Sequence, residues 1–104
     1  MEKGFKQTEI QILNLTRNPI KNKGAKSIAN MIMRGSDIKI DDLNLTECQI
    51  TYVGAINIFI SLKRSLELTK LTLDGNNLNH KFMSELSQGI WGNTSLIKLS
   101  MANC

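Results

Sequence analysis

One block of apolar and polar residues returns four times along the chain. Residues 10–20 read IQILNLTRNPI, with apolar residues at block positions 1, 4, 6 and 11 and Asn18 at position 9. Blocks that begin at residues 40 and 68 repeat this arrangement, and a block that begins at 96 follows it as far as residue 104. Apolar positions that alternate with polar ones over so short a stretch are typical of a strand with one buried face. The pattern therefore predicts four short strands in equivalent positions.

The segments between the blocks carry apolar residues at helical spacing, three or four residues apart. These stripes are Ile28, Ala29 and Ile32 in the first segment, Ile58, Phe59 and Leu62 in the second, and Met83, Leu86 and Ile90 in the third. Each stripe predicts a helix of about 10 to 13 residues. Because neither a short strand nor a short helix can bury its apolar side alone, we expect successive strand-and-helix units to stack on one another.

The blocks resemble the leucine-rich repeat family, whose pattern is LxxLxLxxN/CxL, and within it the long, ribonuclease-inhibitor-like class in which Asn-type and Cys-type repeats alternate. Position 9 holds Asn18, Cys48, Asn76 and Cys104 in turn. The resemblance covers about residues 10–104. It implies an α/β leucine-rich-repeat solenoid, a right-handed horseshoe with a parallel sheet on the concave side and helices on the convex side.

The repeat boundaries predict one leucine-rich-repeat domain over residues 1–104. Residues 1–9 would serve as an N-terminal cap or lead-in, and the repeats start at about 10, 40, 68 and 96, the last one incomplete. Because the fourth block stops after its strand, we expect either a longer solenoid of which this chain is a part, or self-association through an uncapped C-terminal strand.

Position 9 is predicted to form a structural ladder of turns, made by Asn18, Cys48, Asn76 and Cys104. An asparagine amide can both donate to and accept from backbone groups that a turn leaves unpaired, and a thiol is small enough for the same slot. The two cysteines lie two repeats apart, so their Cα atoms should be about 10 Å apart. That separation exceeds the roughly 7 Å reach of a disulfide, so we expect two free thiols and no metal site.

The strand positions that point away from the core form a polar surface of mixed charge. We predict that a protein partner binds there, and the candidate residues are Asn14, Thr16, Arg17, Asp42, Asn44, Glu47, Lys70, Thr72, Asp74 and Lys98. Such a surface is broad and has no pocket for a small substrate or a cofactor. The resulting interpretation is a non-catalytic protein-interaction or scaffolding module that uses the concave strand face or the open C-terminal edge.

Composition and charge narrow the class of protein. Leu and Ile supply 26 residues while aromatic residues supply five, as expected for an aliphatic column of stacked repeats. The net charge is +4, and residues 17–39 alone carry +5. This basic stretch is either a solvated convex face or the mark of an acidic partner. Without aromatic residues interleaved among the charges, the sequence argues against nucleic-acid binding.

Other function classes find little support in the sequence. No apolar run reaches the roughly 20 residues that span a bilayer, so we expect no membrane insertion. The chain begins without a secretory signal and has two cysteines, which favours a cytoplasmic location. With a lone histidine, His80, and no glycine-rich phosphate loop, we expect no enzyme activity.

Two alternatives remain open on the resemblance alone. The chain could regulate an enzyme, as a nuclease-inhibitor-like, GTPase-activator-like or innate-immune-receptor repeat region. It could instead be a structural subunit of a large assembly, such as a ciliary or organellar complex. Repeat architecture does not choose among these functions.

Overall fold

The computed structural model describes residues 8–33, 38–65, 67–79, 83–91 and 95–104, in which strands and helices alternate along the chain. The strands are β1 (Thr8–Asn14), β2 (Ile38–Asn44), β3 (Lys70–Thr72) and β4 (Lys98–Ser100). The helices are α1 (Lys21–Ile32), α2 (Tyr52–Leu62) and α3 (Met83–Trp91).

The strands form one parallel sheet in the order β1-β2-β3-β4. Leu13 pairs with Leu43, Leu43 with Leu71 and Leu71 with Leu99, so equivalent block positions lie side by side across the whole sheet. This register confirms the predicted α/β architecture with a parallel sheet. We call the solvent-facing side of the sheet the concave face and the helix layer the convex face.

The core lies between the sheet and the helices and is almost entirely aliphatic. Strand positions 4 and 6 supply Leu43, Leu45, Leu71 and Leu73, each no more than 1% exposed. The predicted helix stripes meet them, because Ile28, Ala29, Ile32, Ile58, Phe59 and Leu62 are all buried. Burial decreases toward both ends of the sheet, where Leu13, Leu15, Leu99 and Met101 are partly buried.

The third helix departs from its prediction. Leu86 is buried as expected, but Ile90 is 44% exposed. Gly89 explains the difference, because a Cβ there would collide with the backbone oxygen of Phe59. The helix therefore contacts α2 through Gly89, and the neighbouring Ile90 turns outward. The side chain of Met83 lies outside the described residues, as do His80 and residues 1–7.

Helices α1 and α2 are joined by a cap that one repeat supplies to the next. The side-chain oxygen of Asn22 on α1 accepts hydrogen bonds from the N–H groups of Thr51 (2.9 Å) and Gly54 (3.0 Å), at the start of α2. Its amide nitrogen donates to the Thr51 hydroxyl at 2.9 Å. These bonds satisfy backbone donors that the first turn of a helix leaves unpaired. The contact fixes the spacing of the convex layer.

Candidate functional site

Block position 3 forms a row of side chains across the concave face. The register places Ile12 beside Asp42, Asp42 beside Lys70 and Lys70 beside Lys98. Ile12 is 67% exposed, both lysines are exposed and Asp42 is half-buried. Two lysines directly opposite one another on adjacent strands repel and cost some stability. The row thus runs from an apolar side chain through one carboxylate to a pair of cations.

Block positions 5 and 7 are tied together within the first two repeats. The side-chain oxygen of Asn14 accepts from the backbone N–H of Thr16 at 3.0 Å and from its hydroxyl at 2.6 Å. Asn44 makes the same two contacts with Thr46, again at 3.0 and 2.6 Å. These local turns occupy the side-chain oxygens of two predicted partner-binding residues. These turns fix the positions of polar side chains on the concave face.

Asp74 connects two repeats. Its Oδ1 accepts from the hydroxyl of Ser100 at 2.7 Å and from the N–H of Ala102 at 2.8 Å. Thr72, half-buried, lies in register between Asn44 and Ser100. The structure thus gives Asp74 a bonding role that its place in the repeat pattern does not reveal, and substitutions there would perturb the fold as well as the surface.

Position 8 adopts a left-handed backbone in every repeat. The φ angles are 64° at Arg17, 53° at Glu47, 73° at Gly75 and 58° at Asn103. A residue with a Cβ pays roughly 1–2 kcal/mol for this conformation, which glycine adopts freely. Arg17 and Glu47 carry large charged side chains at this position nonetheless, so the turns place two opposite charges on the rim of the concave face.

Arg17 and Glu47 also face each other on this rim. Arg17 Nε lies 3.2 Å from Glu47 Oε1, and the side chains are 76% and 53% exposed. Backbone bonds hold both residues in place, because the N–H of Arg17 donates to Thr46 and that of Glu47 to Asp74, each at 2.8 Å. An exposed pair of this kind adds little stability. Its charges stay accessible to a partner.

The turn ladder is most complete at Asn76, which is 2% exposed. Its amide nitrogen donates to the carbonyl of Leu45 in the preceding repeat at 2.8 Å and to that of Leu73 at 3.0 Å. Its oxygen accepts from the N–H groups of Cys48 and Ile50, each at 3.0 Å. One buried side chain thus completes the backbone bonding of two turns.

The cysteines occupy the same slot with fewer bonds. Cys48 Sγ donates to the carbonyl of Leu15, and Cys104 Sγ donates to that of Leu73, both at 3.0 Å. Both cysteines are free, as predicted. Burial raises the pKa of the Cys48 thiol, although the N–H groups of Asn18 and Arg17 oppose that shift. At neutral pH Cys48 is therefore a protonated hydrogen-bond donor.

The alternation of Asn and Cys changes how the preceding turn closes. Beside Asn76, the N–H of Ile50 donates to the asparagine side chain. Beside a cysteine, the equivalent N–H groups bond within their own repeat: Ile20 donates to the carbonyl of Asn18 at 2.7 Å, and Leu78 to that of Asn76 at 3.1 Å. At block position 9, Asn76 therefore accepts a hydrogen bond from the preceding repeat, whereas beside a cysteine the preceding turn closes on its own backbone.

Two further observations concern other kinds of site. Among the described residues, no helix combines the length and the apolarity that crossing a bilayer requires. Within the same part of the chain, no group of three or more His, Cys, Asp or Glu residues is placed to hold a metal ion.

Comparisons with known proteins agree with this geometry. Residues 7–29 and 39–59 match a family model described as Leucine Rich repeat. The human NACHT, LRR and PYD domains-containing protein 5 is 28% identical over 93 residues, covering 88% of this chain and 8% of that protein. The mouse NACHT, LRR and PYD domains-containing protein 9B is 26% identical over 98 residues, covering 93% and 10%.

A solved structure, titled Leiomodin-1 Actin-Binding Site 2, superposes with a TM-score of 0.75 at 29% identity. The superposed region covers 88% of this chain and 53% of the leiomodin chain. This chain spans only 8% and 10% of the lengths of the two sequence relatives. The fold and the matched repeats together define a leucine-rich-repeat solenoid. The matched residues and the relatives make this chain similar to leucine-rich repeat proteins.

Proposed function

We propose that the chain is a non-catalytic binding or scaffolding module that holds a protein partner on its concave face. The observation that carries the proposal is the exposed lysine pair, Lys70 and Lys98, which lie in register on adjacent parallel strands. Mutual repulsion makes this pair unfavourable in the free chain, and a partner carboxylate placed between the two would relieve it.

The remaining charges of the concave face would set the register of the partner. Arg17 and Glu47 lie on the rim, and Asp42 and Ile12 continue the row that begins at the lysines. Charge complementarity of this kind favours the correct partner and orientation more than it adds affinity. Asn14, Thr16, Asn44, Thr72 and Asp74 would contribute shape, since most of their described bonds fix turns and neighbouring repeats.

Lysine substitutions test the proposal. Lys70→Thr and Lys98→Thr remove exposed charge, keep a residue that favours strands and break no described hydrogen bond. Lys23→Ala, which removes an exposed cation from α1, is the matched control. Tagged wild-type and variant chains would be used to capture partners from cell extract, with quantitative mass spectrometry as the readout and circular dichroism to verify folding.

We expect a protein captured by the wild type and by Lys23→Ala to fall at least about fivefold with either lysine variant, about 1 kcal/mol of binding energy. Capture that is unchanged by both lysine substitutions would contradict a concave site. If capture falls as much with Lys23→Ala as with the concave-face variants, binding depends only on net charge, and the concave site is contradicted.

Actin is a second, specific partner candidate, favoured by the leiomodin structure whose title describes an actin-binding site. Cosedimentation of the chain with purified actin filaments is the direct test. The same lysine variants then separate the concave face from the rest of the surface.

The narrower features of the proposal come partly from the resemblance and partly from the sequence itself. The alternating Asn and Cys ladder supports the ribonuclease-inhibitor-like class, and with it the alternatives of an enzyme regulator or a structural subunit. A cytoplasmic location, membership of a longer solenoid, self-association through the last strand, and the absence of nucleic-acid or small-molecule ligands stay predictions of this proposal.

A further inference from the structure

Among the described residues, cations outnumber carboxylates on the helix layer of the first two repeats. Neither α1 nor α2 contains Asp or Glu. Lys23 and Lys26 are exposed on α1, and Lys63 and Arg64 are exposed directly after α2. The concave face, by contrast, mixes both signs. The two faces of the repeat array therefore differ in electrostatic character.

The C-terminal halves of α1 and α2 border a groove of about 370 Å³. Lys26 lines it on the α1 side, Lys63 and Arg64 line it on the α2 side, and none of its described lining residues is acidic. The same lining includes exposed apolar surface, because Ile60 is 56% exposed. The other lining residues are Ala29, Asn30, Met33, Asn57 and Ser61.

Helix electrostatics explain only part of this arrangement. Cations stabilise the C-terminal end of a helix, which accounts for Lys63 and Arg64 after α2. Lys26 lies in the middle of α1, where the helix dipole gives no such benefit. Nor does the dipole account for Ile60, a large aliphatic side chain left exposed among charges.

We propose that this groove is a second interaction surface, separate from the concave face, and that it binds an acidic amphipathic segment of a protein. An apolar side chain of that segment would cover Ile60. Its carboxylates would form charge-assisted hydrogen bonds with Lys26, Lys63 and Arg64, which would fix its position in the groove.

A nucleic acid fits the groove less well. Phosphates would satisfy the three cations, but Ile60 and Met33 offer a sugar-phosphate backbone nothing, and the lining residues given above include no aromatic side chain. Trp91, which is 92% exposed, is the last residue of α3 and lines a different cavity, which Lys63 also borders. One aromatic ring cannot stack successive bases as single-strand binders do.

Two matched triple variants test the proposal. K26Q/K63Q/R64Q neutralises the groove, and R17Q/K70Q/K98Q neutralises three cations of the concave face, so each lowers the formal net charge from +4 to +1. The probe is a fluorescein-labelled helical peptide with glutamates flanking a stripe of leucines, and its binding is followed by fluorescence anisotropy. A second peptide has serines in place of the leucines, and a U-rich RNA oligomer serves as competitor.

We expect the groove variant to weaken peptide binding at least about tenfold, the concave variant to change it by less than about threefold, and the serine peptide to bind at least about tenfold more weakly. Equal losses for both variants, or a larger loss for the concave variant, would overturn the proposal. So would equal binding of the two peptides, an RNA oligomer that binds more tightly than the peptide, or a wild-type chain that binds no peptide. Circular dichroism confirms that each variant is folded.

Discussion

At the scale of single residues, members of the turn ladder form unequal sets of hydrogen bonds. Asn18 and Asn76 occupy the same block position, yet Asn18 is exposed whereas Asn76 is 2% exposed and serves two repeats. Only the stacked structure reveals this difference, because the bonds that distinguish Asn76 reach across to Leu45, Cys48 and Ile50. The repeat pattern shows which residue occupies block position 9. The contacts with the neighbouring repeat determine how much that residue contributes to stability.

Alanine at Asn76 should therefore be far more costly than alanine at Asn18. Asn76→Ala leaves the N–H groups of Cys48 and Ile50 and the carbonyl of Leu45 without their partner, and we expect a loss of about 2–4 kcal/mol in the free energy of unfolding. Asn18→Ala removes weaker, exposed contacts to Leu15 and Thr16 and should cost less than about 1 kcal/mol. Urea denaturation followed by circular dichroism measures both, and equal losses would contradict this account.

At the scale of helices and strands, hydrophobic periodicity predicts which side chains are buried. It does not predict the individual contacts between neighbouring helices. The aliphatic stripes of α1 and α2 are buried as predicted. The cap that Asn22 supplies to α2 has no signal in a single repeat, because the bonding partners lie about one repeat apart. The exposure of Ile90 was missed for a similar reason, since the close approach at Gly89 depends on the backbone of α2.

Two equivalent glycines provide a test of this helix contact. A Cβ at Gly54 would lie 2.5 Å from Asn22 Oδ1 and 2.8 Å from its Cα, whereas a Cβ at Gly24 would meet the Cγ2 methyl of Ile20. Gly54→Ala should therefore destabilise the chain by about 1–3 kcal/mol, because the α1 backbone must move. Gly24→Ala should cost less than Gly54→Ala, because its Cβ would lie 2.5 Å from a side-chain methyl of Ile20 instead of close to a neighbouring backbone, and because alanine favours helix.

Thermal unfolding followed by circular dichroism compares the two glycine variants. If Gly54→Ala is as stable as Gly24→Ala, the helices do not pack as closely as the structure indicates. Asn22→Ala, which removes the cap while leaving both glycines, should also destabilise α2, by about 1 kcal/mol.

At the scale of the whole molecule, the sequence predicts the sheet register and the location of a polar face, and it leaves open which face residues are free to bind. Like Lys70 and Lys98, Asn14, Asn44 and Asp74 are predicted to point away from the core, but these three bond within or between repeats. The sequence indicates only part of the convex groove, because Lys26 lies in the basic stretch 17–39 whereas Lys63 and Arg64 lie more than thirty residues further along the chain. Stacking alone brings them to one surface.

Stacking also makes stability a sum of repeat and neighbour terms, so one substitution should cost more where a repeat has well-packed neighbours on both sides. Leu15 and Leu45 occupy the same block position and make matching backbone bonds, to Asn44 at 2.9 Å and Thr72 at 2.8 Å. Leu45 is 0% exposed, whereas Leu15 is only partly buried. In urea denaturation, Leu45→Ala should cost about 3–5 kcal/mol and Leu15→Ala about half as much. Equal costs would mean that both sites are equally enclosed, contrary to the graded burial along the sheet.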